Sequence, residues 1–133
     1  GYAYPNDVEA GDFDGDGDMD LVVNGWQSYF VFRRGKLDGT LGVAKKVFVG
    51  AWTEWVVLAD YDRDGDQDVF TNYWPSQYLT LSSWDGTAFG PTRRFSGAEP
   101  GAGFTLADLD GQGALEIILP RGQGQGLTVL RGD

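Results

Sequence analysis

The amino-acid sequence predicts an all-β protein made of β-propeller blades, which are four-stranded antiparallel sheets repeated here every 48 residues. Three observations support this fold class. An acidic motif recurs at constant spacing, the apolar segments are all about strand length, and no segment of about 10–12 residues keeps a helical period. A propeller blade takes roughly 40–50 residues, so the spacing fits radially stacked sheets.

Composition narrows the class of protein further. The chain has 133 residues, 41% of them hydrophobic, which suffices for a folded core. Its net charge of −10 argues against a nucleic-acid partner, whose phosphates attract basic surfaces. Cysteine and histidine are both absent, which removes disulfides, thiolate metal sites and the commonest general base. No apolar run reaches about 18 residues, so we expect no membrane insertion.

The repeat is visible in three aligned segments. "GDFDGDGDMDLVV" at 11–23 matches "ADYDRDGDQDVFT" at 59–71 and "ADLDGQGALEIIL" at 107–119. The same register relates Asn24 to Asn72, Trp26 to Trp74, and Val31 to Leu79 and Leu127. We therefore predict three blade repeats, at 1–48, 49–96 and 97–133.

Each repeat divides into short segments bounded by turn residues. In the second repeat the predicted strands are 55–59, 68–72, 77–82 and 92–96, with the first strand innermost. The third repeat holds strands at 104–107, 116–119 and 127–130 but no fourth. Two full blades and an incomplete third fall short of the 4–8 blades of a closed propeller. We expect the remaining blades to come from a longer parent chain or from further copies.

The acidic loops have the spacing of a calcium site. Oxygen ligands at loop positions 1, 3, 5 and 9, with a backbone carbonyl at 7, match the 6–8 hard ligands of Ca²⁺. Glycine at position 6 lets the chain curl so that these groups converge. In the first loop the predicted ligands are Asp12, Asp14, Asp16 and Asp20, with the carbonyl of Asp18. In the second they are Asp60, Asp62, Asp64 and Asp68, with the carbonyl of Asp66.

The same residues also bear on the alternatives to a calcium site. An EF-hand needs an acidic residue at position 12, which here is Val23, Thr71 or Leu119. Magnesium prefers fewer carboxylates, zinc prefers nitrogen or sulfur ligands, and a solvated acidic turn is the remaining alternative. The third loop departs from the pattern, and whether it binds calcium more weakly stays open. Its candidate ligands are Asp108, Asp110, Gln112, Ala114 and Glu116.

These loops resemble the FG-GAP (VCBS) repeat of integrin-α-type β-propellers. The resemblance rests on the acidic loop followed by a strand, and on "DGTAFGP" at 85–91, with a looser "DGTLGV" at 38–43. It implies a calcium ion in the hairpin between the first two strands of a blade. The family includes adhesion-receptor heads, lectins, and domains of secreted enzymes, so it indicates a fold more than a function.

For function, the sequence favours a non-enzymatic binding or adhesion module stabilised by calcium. The expected partner is a carbohydrate or a protein ligand. The candidate ligand-binding residues form a platform of indoles and amides, as lectins use, although packing between blades is the alternative. They are Asn24, Trp26, Asn72, Tyr73 and Trp74. Trp52, Trp55 and Trp84 are predicted to be core or blade-contact residues.

Two further roles remain open. One is an accessory propeller of a secreted polysaccharide-degrading enzyme, and the other is a structural subunit that self-assembles. Calcium loops of this kind fill where calcium is abundant, so we expect an extracellular or cell-surface location, or the periplasm. The tripeptide "RGD" at 131–133 is short enough to occur by chance and carries little weight.

Overall fold

A computed structural model describes residues 4–50, 52–73, 77–97, 103–121 and 126–131. Within those ranges the chain forms eleven β-strands and no helix, so no helix is available to span a membrane. The strands are β1 Pro5–Gly11, β2 Asp20–Gly25, β3 Tyr29–Arg33, β4 Lys45–Phe48, β5 Thr53–Ala59, β6 Asp68–Tyr73, β7 Tyr78–Ser82, β8 Arg93–Ser96, β9 Thr105–Ala107, β10 Glu116–Pro120 and β11 Leu127–Leu130.

The strands form three antiparallel sheets in which sequence neighbours pair. The first sheet has the order β1-β2-β3-β4, the second β5-β6-β7-β8, and the third β9-β10-β11. This confirms the predicted all-β fold of two four-stranded sheets followed by a three-stranded one. The third strands of the first two sheets, β3 and β7, pair on their outer edges with β4 and β8. The equivalent edge of β11 pairs with no described strand. Among the described residues the sheets do not close into a ring.

One expected correspondence between repeats is wrong by one residue. Val23 pairs with Val31, whereas Thr71, its counterpart 48 residues later, pairs with Thr80. The connection between β2 and β3 is therefore one residue shorter than that between β6 and β7. Val31 corresponds to Thr80, and Leu79 and Leu127 correspond instead to Phe30. A shift of one residue exchanges the two faces of a strand, so this decides which side chains meet the next sheet.

The hydrophobic core lies between sheets rather than within them. One cluster joins the first sheet to the second, and another joins the second to the third. Strand β6 contributes to both, because Val69 belongs to the first cluster and Phe70 to the second. This explains the continuous apolar run of that strand, which is covered on both faces. The first cluster contains Phe13, Val22, Phe30, Phe32, Val49, Val56, Val69 and Trp84, and the second Phe70, Leu79, Leu81, Ile117 and Leu119.

Hydrogen bonds also tie the first sheet to the second along their inner strands. The Asp7 carboxylate accepts a 3.0 Å bond from the backbone N–H of Val56, and the Thr53 hydroxyl donates a 2.9 Å bond to the carbonyl of Gly25. Asp7 thus satisfies a backbone donor of the neighbouring sheet. Polar side chains at this junction therefore set how the two sheets sit against each other.

The three tryptophans predicted to be core residues divide into two groups. Trp84 is buried and packs against Phe13, Phe32 and Phe89, as predicted. Trp52 and Trp55 are instead 55% and 46% exposed, so that part of the prediction is wrong. Both lie at or near the start of β5. The apolar residues beside them in sequence do not guarantee that another sheet covers their side chains.

Candidate metal centre

The three acidic loops connect the first and second strands of their sheets, so they lie at the same end of each hairpin. In each loop three acidic side chains bring one oxygen apiece within 4.8 Å of one another. The converging groups are Asp12, Asp14 and Asp16 in loop 1; Asp60, Asp62 and Asp64 in loop 2; and Asp108, Asp110 and Glu116 in loop 3. Alternate positions of a curled loop therefore do point inward.

The curl depends on left-handed backbone conformations. At loop position 6, Gly17, Gly65 and Gly113 have φ values of 91°, 97° and 87°. Position 4 of loop 2 is Arg63, which takes φ 64° where the other two loops carry glycine. The left-handed region is unfavourable for a residue with a Cβ, so loop 2 holds its geometry at a local cost.

Backbone N–H groups satisfy some carboxylate oxygens and leave others facing the cluster. The amide of Gly17 donates to Asp12 Oδ2 at 3.0 Å, and that of Gly65 donates to Asp60 Oδ2 at 3.2 Å. The second oxygens, Asp12 Oδ1 and Asp60 Oδ1, are buried and accept no hydrogen bond from the described residues, as is also true of Asp14 Oδ1. A buried carboxylate oxygen without a donor is costly unless a cation pairs with it.

Asp20 and Asp68, at loop position 9, are placed differently from the other predicted ligands. Both are buried, and each carboxylate accepts two backbone hydrogen bonds. Asp68 accepts from Tyr61 at 3.2 Å and from Trp84 at 3.0 Å. Asp20 does the same with Phe13 and Gly35, at 3.1 Å and 2.7 Å. Each carboxylate therefore links its loop to the segment after the third strand of its sheet. Whether it also binds a metal stays a prediction.

The pKa values of several loop carboxylates are raised. Burial raises the pKa of Asp68 to about 6, against the hydrogen bond from Trp84, and burial also raises that of Asp20. Desolvation raises the pKa of Asp18 and of Asp66, with the neighbouring negative charges adding to it. Burial and neighbouring negative charge both oppose ionisation in these loops, and a bound cation would favour the charged carboxylates.

The third loop also has three converging acidic side chains, but the third of them comes from position 9 instead of position 5. Glu116 replaces the position-9 aspartate, and its Oε2 accepts a 2.9 Å bond from Leu109 while the longer side chain joins the cluster. Gln112 stands at position 5, and its amide donates to Asp110 Oδ2 at 3.3 Å. Ala114 offers no side-chain ligand, so a role for its carbonyl stays a prediction, as it does for Asp18 and Asp66.

Arg34 is a cation beside loop 1, where the sequence predicted only a solvated strand end for the Arg33–Arg34 pair. Its guanidinium lies 2.9 Å from Asp14 Oδ2 and 5.5 Å from the centre of the Trp84 ring, and it donates a 3.4 Å bond to the Gly86 carbonyl. One side chain thus contacts the acidic loop of the first sheet and the core of the second. The matching position in the second sheet is Ser83, so loop 2 has no such arginine.

The predicted indole and amide platform forms only in part. Trp26 is 58% exposed, but Asn24 and Asn72 are 1% and 2% exposed and so do not reach the surface. The Asn72 side chain instead accepts a 3.0 Å hydrogen bond from the backbone of Trp55. Tyr73 ends β6, whereas Trp74 lies outside the described residues. Expecting the asparagines at the surface was wrong, because each lies on the face of its second strand that packs on the following sheet.

Two exposed aromatic residues accompany Trp26 at this end of the sheets, opposite the acidic loops. Tyr4 is 68% exposed, its ring centroid lies 6.4 Å from that of Trp26, and its carbonyl accepts the Trp26 N–H. Trp52 is exposed beside Thr53, whose amide donates to the carbonyl of Gln27. Tyr4 and Trp52 are 48 residues apart, so the repeat itself was a signal that could have found them.

Three antiparallel sheets stacked face to face, each with an acidic loop in its first hairpin, define the class of repeat proteins that build β-propellers. The profile of one such family, the FG-GAP-like repeat, matches residues 12–71 and 60–119, two spans that start 48 residues apart. The chain belongs to the FG-GAP-like repeat family. No curated protein matches the chain.

Proposed function

We propose that this chain is a calcium-stabilised β-propeller module that binds a ligand and catalyses no reaction. One observation carries the proposal. In each of three equivalent loops, three acidic side chains converge, and in loops 1 and 2 buried carboxylate oxygens there have no hydrogen-bond donor among the described residues. An all-oxygen, strongly anionic cluster suits calcium better than magnesium or zinc.

The proposed calcium is structural. When bound, it supplies positive charge that offsets repulsion among the loop carboxylates. Asp12, Asp14 and Asp16 would hold it in loop 1, and Asp60, Asp62 and Asp64 in loop 2. Because the converging geometry exists only in the folded chain, binding would stabilise folding by mass action. We expect weaker binding in loop 3, where an amide replaces one carboxylate.

Thermal unfolding with and without calcium tests this proposal. We expect millimolar CaCl₂ to raise Tm relative to buffer treated with a chelator, whereas equal MgCl₂ or NaCl raises it much less. A Tm that is the same in calcium and in chelator would contradict the structural role. Terbium luminescence on the same samples counts the filled loops independently of stability.

For the ligand, we propose a carbohydrate that stacks on the exposed aromatic end of the sheets. Tyr4 and Trp26 form a close aromatic pair, and Trp52 repeats the Tyr4 position in the second sheet. Aromatic faces bind the apolar side of sugar rings, while polar groups nearby bind hydroxyls. This supports a lectin-like or adhesive role at an extracellular or cell-surface location, where calcium is abundant.

A glycan array tests the ligand assignment. We expect the chain to bind a defined set of glycans and Trp26→Ala to lose at least about tenfold in affinity, or about 1.4 kcal/mol. Trp55→Ala is the matched control, because this indole is also exposed but belongs to strand β5. Equal losses in both variants would contradict an aromatic platform at Trp26.

Two other roles compete with a lectin. An accessory propeller of a secreted polysaccharide-degrading enzyme would bind the polymer of that enzyme rather than short glycans on an array. A structural subunit would assemble without binding glycans at all. The lack of histidine and cysteine in the sequence supports a non-catalytic role in every case.

A further inference from the structure

One cation lies between the first two sheets, next to the acidic cluster of loop 1. Arg34 directly follows β3, and its Nη1 atom is 2.9 Å from Asp14 Oδ2. Its guanidinium also lies over the Trp84 ring, 5.5 Å from the centroid, and donates a 3.4 Å bond to the Gly86 carbonyl. Trp84 and Gly86 both follow β7, so the second sheet holds the charge of Arg34 against the loop of the first.

Asp14 is the loop 1 carboxylate on which this cation acts. Its side chain is 10% exposed, so the ion pair with Arg34 is partly shielded from water and is stronger than one on the open surface. One Asp14 oxygen contacts Arg34, whereas the other, Oδ1, is buried and accepts no hydrogen bond from the described residues. Asp14 therefore shares its charge between a permanent cation, since arginine stays protonated, and the interior of the cluster.

Loop 2 has the same three converging acids but no such cation. Ser83 occupies the place of Arg34 after β7, as the registers of the two central hairpins show. No described arginine or lysine forms an ion pair with an acid of the loop 2 cluster. Arg63 belongs to loop 2 but reaches loop 3, where its Nη1 lies 3.5 Å from the point that a Cβ on Gly113 would occupy. The first two clusters thus match in carboxylates and differ by one paired positive charge.

We propose that Arg34 is a built-in competitor of calcium at loop 1, so that loop 2 fills at a lower calcium concentration than loop 1. Calcium affinity follows the charge of the ligand set, and Arg34 offsets one of the three negative charges that converge in loop 1. The inference rests on the calcium binding of the proposed function and adds an order of filling.

The same contact makes loop 1 less dependent on metal than loop 2. Without calcium, the guanidinium of Arg34 reduces the repulsion among the loop 1 acids and stays attached to the second sheet through Trp84 and Gly86. Calcium that enters loop 1 meets a positive charge already held there by the neighbouring sheet. Occupation of loop 1 is therefore coupled to the junction of the first two sheets, whereas occupation of loop 2 is not coupled in this way.

Calcium titration by isothermal titration calorimetry tests the order of filling in two backgrounds. Asp62→Asn with Asp64→Asn disables loop 2, and Asp12→Asn with Asp16→Asn disables loop 1. Loop 3 is intact in both backgrounds, so its heat is common to them. With Arg34 in place, the background that retains loop 2 should bind calcium more tightly than the background that retains loop 1.

Arg34→Met then identifies the cause. It removes the charge while keeping a long side chain over Trp84, and it should tighten calcium binding at least about fivefold in the background that retains loop 1. In the background that retains loop 2 it should change affinity by less than about twofold, because no loop 2 acid pairs with Arg34. Lys46→Met is the matched control and should leave both affinities unchanged. It removes one positive charge at the other end of β3, where Lys46 lies over the Tyr29 ring.

Thermal unfolding adds a readout that separates charge competition from simple loss of packing. In chelator, Arg34→Met should have a lower Tm than the original chain, and its rise in Tm on adding calcium should be larger. A variant that only loses packing would have a lower Tm in both buffers and an unchanged calcium affinity. Arg34→Gln serves in the same tests if Arg34→Met fails to fold.

The outcomes separate this inference from the calcium proposal. Unchanged or weaker calcium binding by loop 1 after the charge of Arg34 is removed would overturn the competition, and so would a loop 1 that fills before loop 2. Either result would leave the calcium proposal standing. No calcium binding in either background would overturn the calcium proposal and the competition together.

Discussion

At the scale of single residues, the acidic loops combine carboxylates with two different tasks. In loop 2, Asp60 has one oxygen that accepts from the Gly65 amide, while the other is buried in the cluster with no donor in the described part of the chain. Asp68 has both oxygens held by backbone N–H groups. The first kind of carboxylate is poised to bind a cation, and the second fastens the loop to its sheet.

Asp60→Asn should therefore weaken calcium binding more than it weakens the fold. The amide keeps the size of the side chain but removes a charge from the cluster, so we expect at least about a tenfold loss of calcium affinity, or about 1.4 kcal/mol. Isothermal titration calorimetry measures this change. Glu9→Gln removes the same charge from an exposed position on β1 and should leave affinity nearly unchanged; equal effects would contradict the assignment.

Replacing Arg63, which has a left-handed backbone conformation, is predicted to stabilise the fold. A residue with a Cβ loses about 1–2 kcal/mol in the left-handed region, while glycine costs about 0.5–1 kcal/mol in additional unfolded-state entropy. Arg63→Gly should thus stabilise the chain by up to about 1.5 kcal/mol, making loop 2 like its neighbours. Urea unfolding measures the gain, and Gly15→Ala at the equivalent place in loop 1 should be destabilising. Stabilisation by both substitutions would refute the strain argument.

The raised pKa of Asp68 predicts how the stability of the calcium-free chain depends on pH. Its pKa is about 6 in the folded chain, against 3.8 for an ordinary aspartate, because burial disfavours the charged form. Between these two pH values the folded state binds more protons than the unfolded state. The stabilising contribution of Asp68 to the free energy of unfolding is therefore complete below pH 3.8 and is lost as pH rises through about 6.

Urea unfolding of metal-depleted protein across this pH window is the corresponding measurement. We expect the contribution of Asp68 to the free energy of unfolding to fall as pH rises, and Asp68→Asn to flatten that part of the profile. Saturating calcium should oppose the trend, since it favours ionised carboxylates. A profile that is identical for the original chain and Asp68→Asn would show that burial does not shift this group.

At the scale of elements, the sheets are joined by more than apolar contact. The Asp7 carboxylate of β1 accepts from the buried amide of Val56 in β5, a bond that crosses between sheets. Asp7→Ala leaves that donor unpaired, and we expect a loss of about 1–3 kcal/mol of stability. Glu9→Ala, exposed on the same strand, should change stability by less than about 0.5 kcal/mol. Chemical denaturation of both variants decides whether the carboxylate at Asp7 matters.

At the scale of the whole molecule, the net charge of −10 opposes compaction. Raising NaCl from about 0.01 M to 1 M shortens the screening length from about 30 Å to 3 Å. We expect Tm to rise with salt in metal-free buffer and to change much less in saturating calcium, because the proposed calcium would neutralise the acidic loop clusters. A differential scanning calorimetry series measures both curves, and parallel curves would contradict local neutralisation by calcium.

The sequence alone determined the repeat, the strands and the convergent loop acids. The repeat followed from the 48-residue period of the sequence. The alternate spacing of the acids and the glycine at loop position 6 act locally, within one hairpin, so Asp12, Asp14 and Asp16 could be named from their order. The three-stranded third sheet also followed from its strand-length segments. The resemblance carried by those loops agrees with the family to which the chain belongs.

Only the tertiary structure decided which side chains face water. Asn24 and Trp26 are two residues apart, yet one is buried between sheets and the other exposed. A hairpin shortened by one residue put Phe30, not Val31, in the cluster between the first two sheets, and Arg34, just after β3, pairs with Asp14 in the acidic loop before β2. Burial depends on how sheets stack, which pairs residues about 50 positions apart, and no local pattern along the chain encodes that distance.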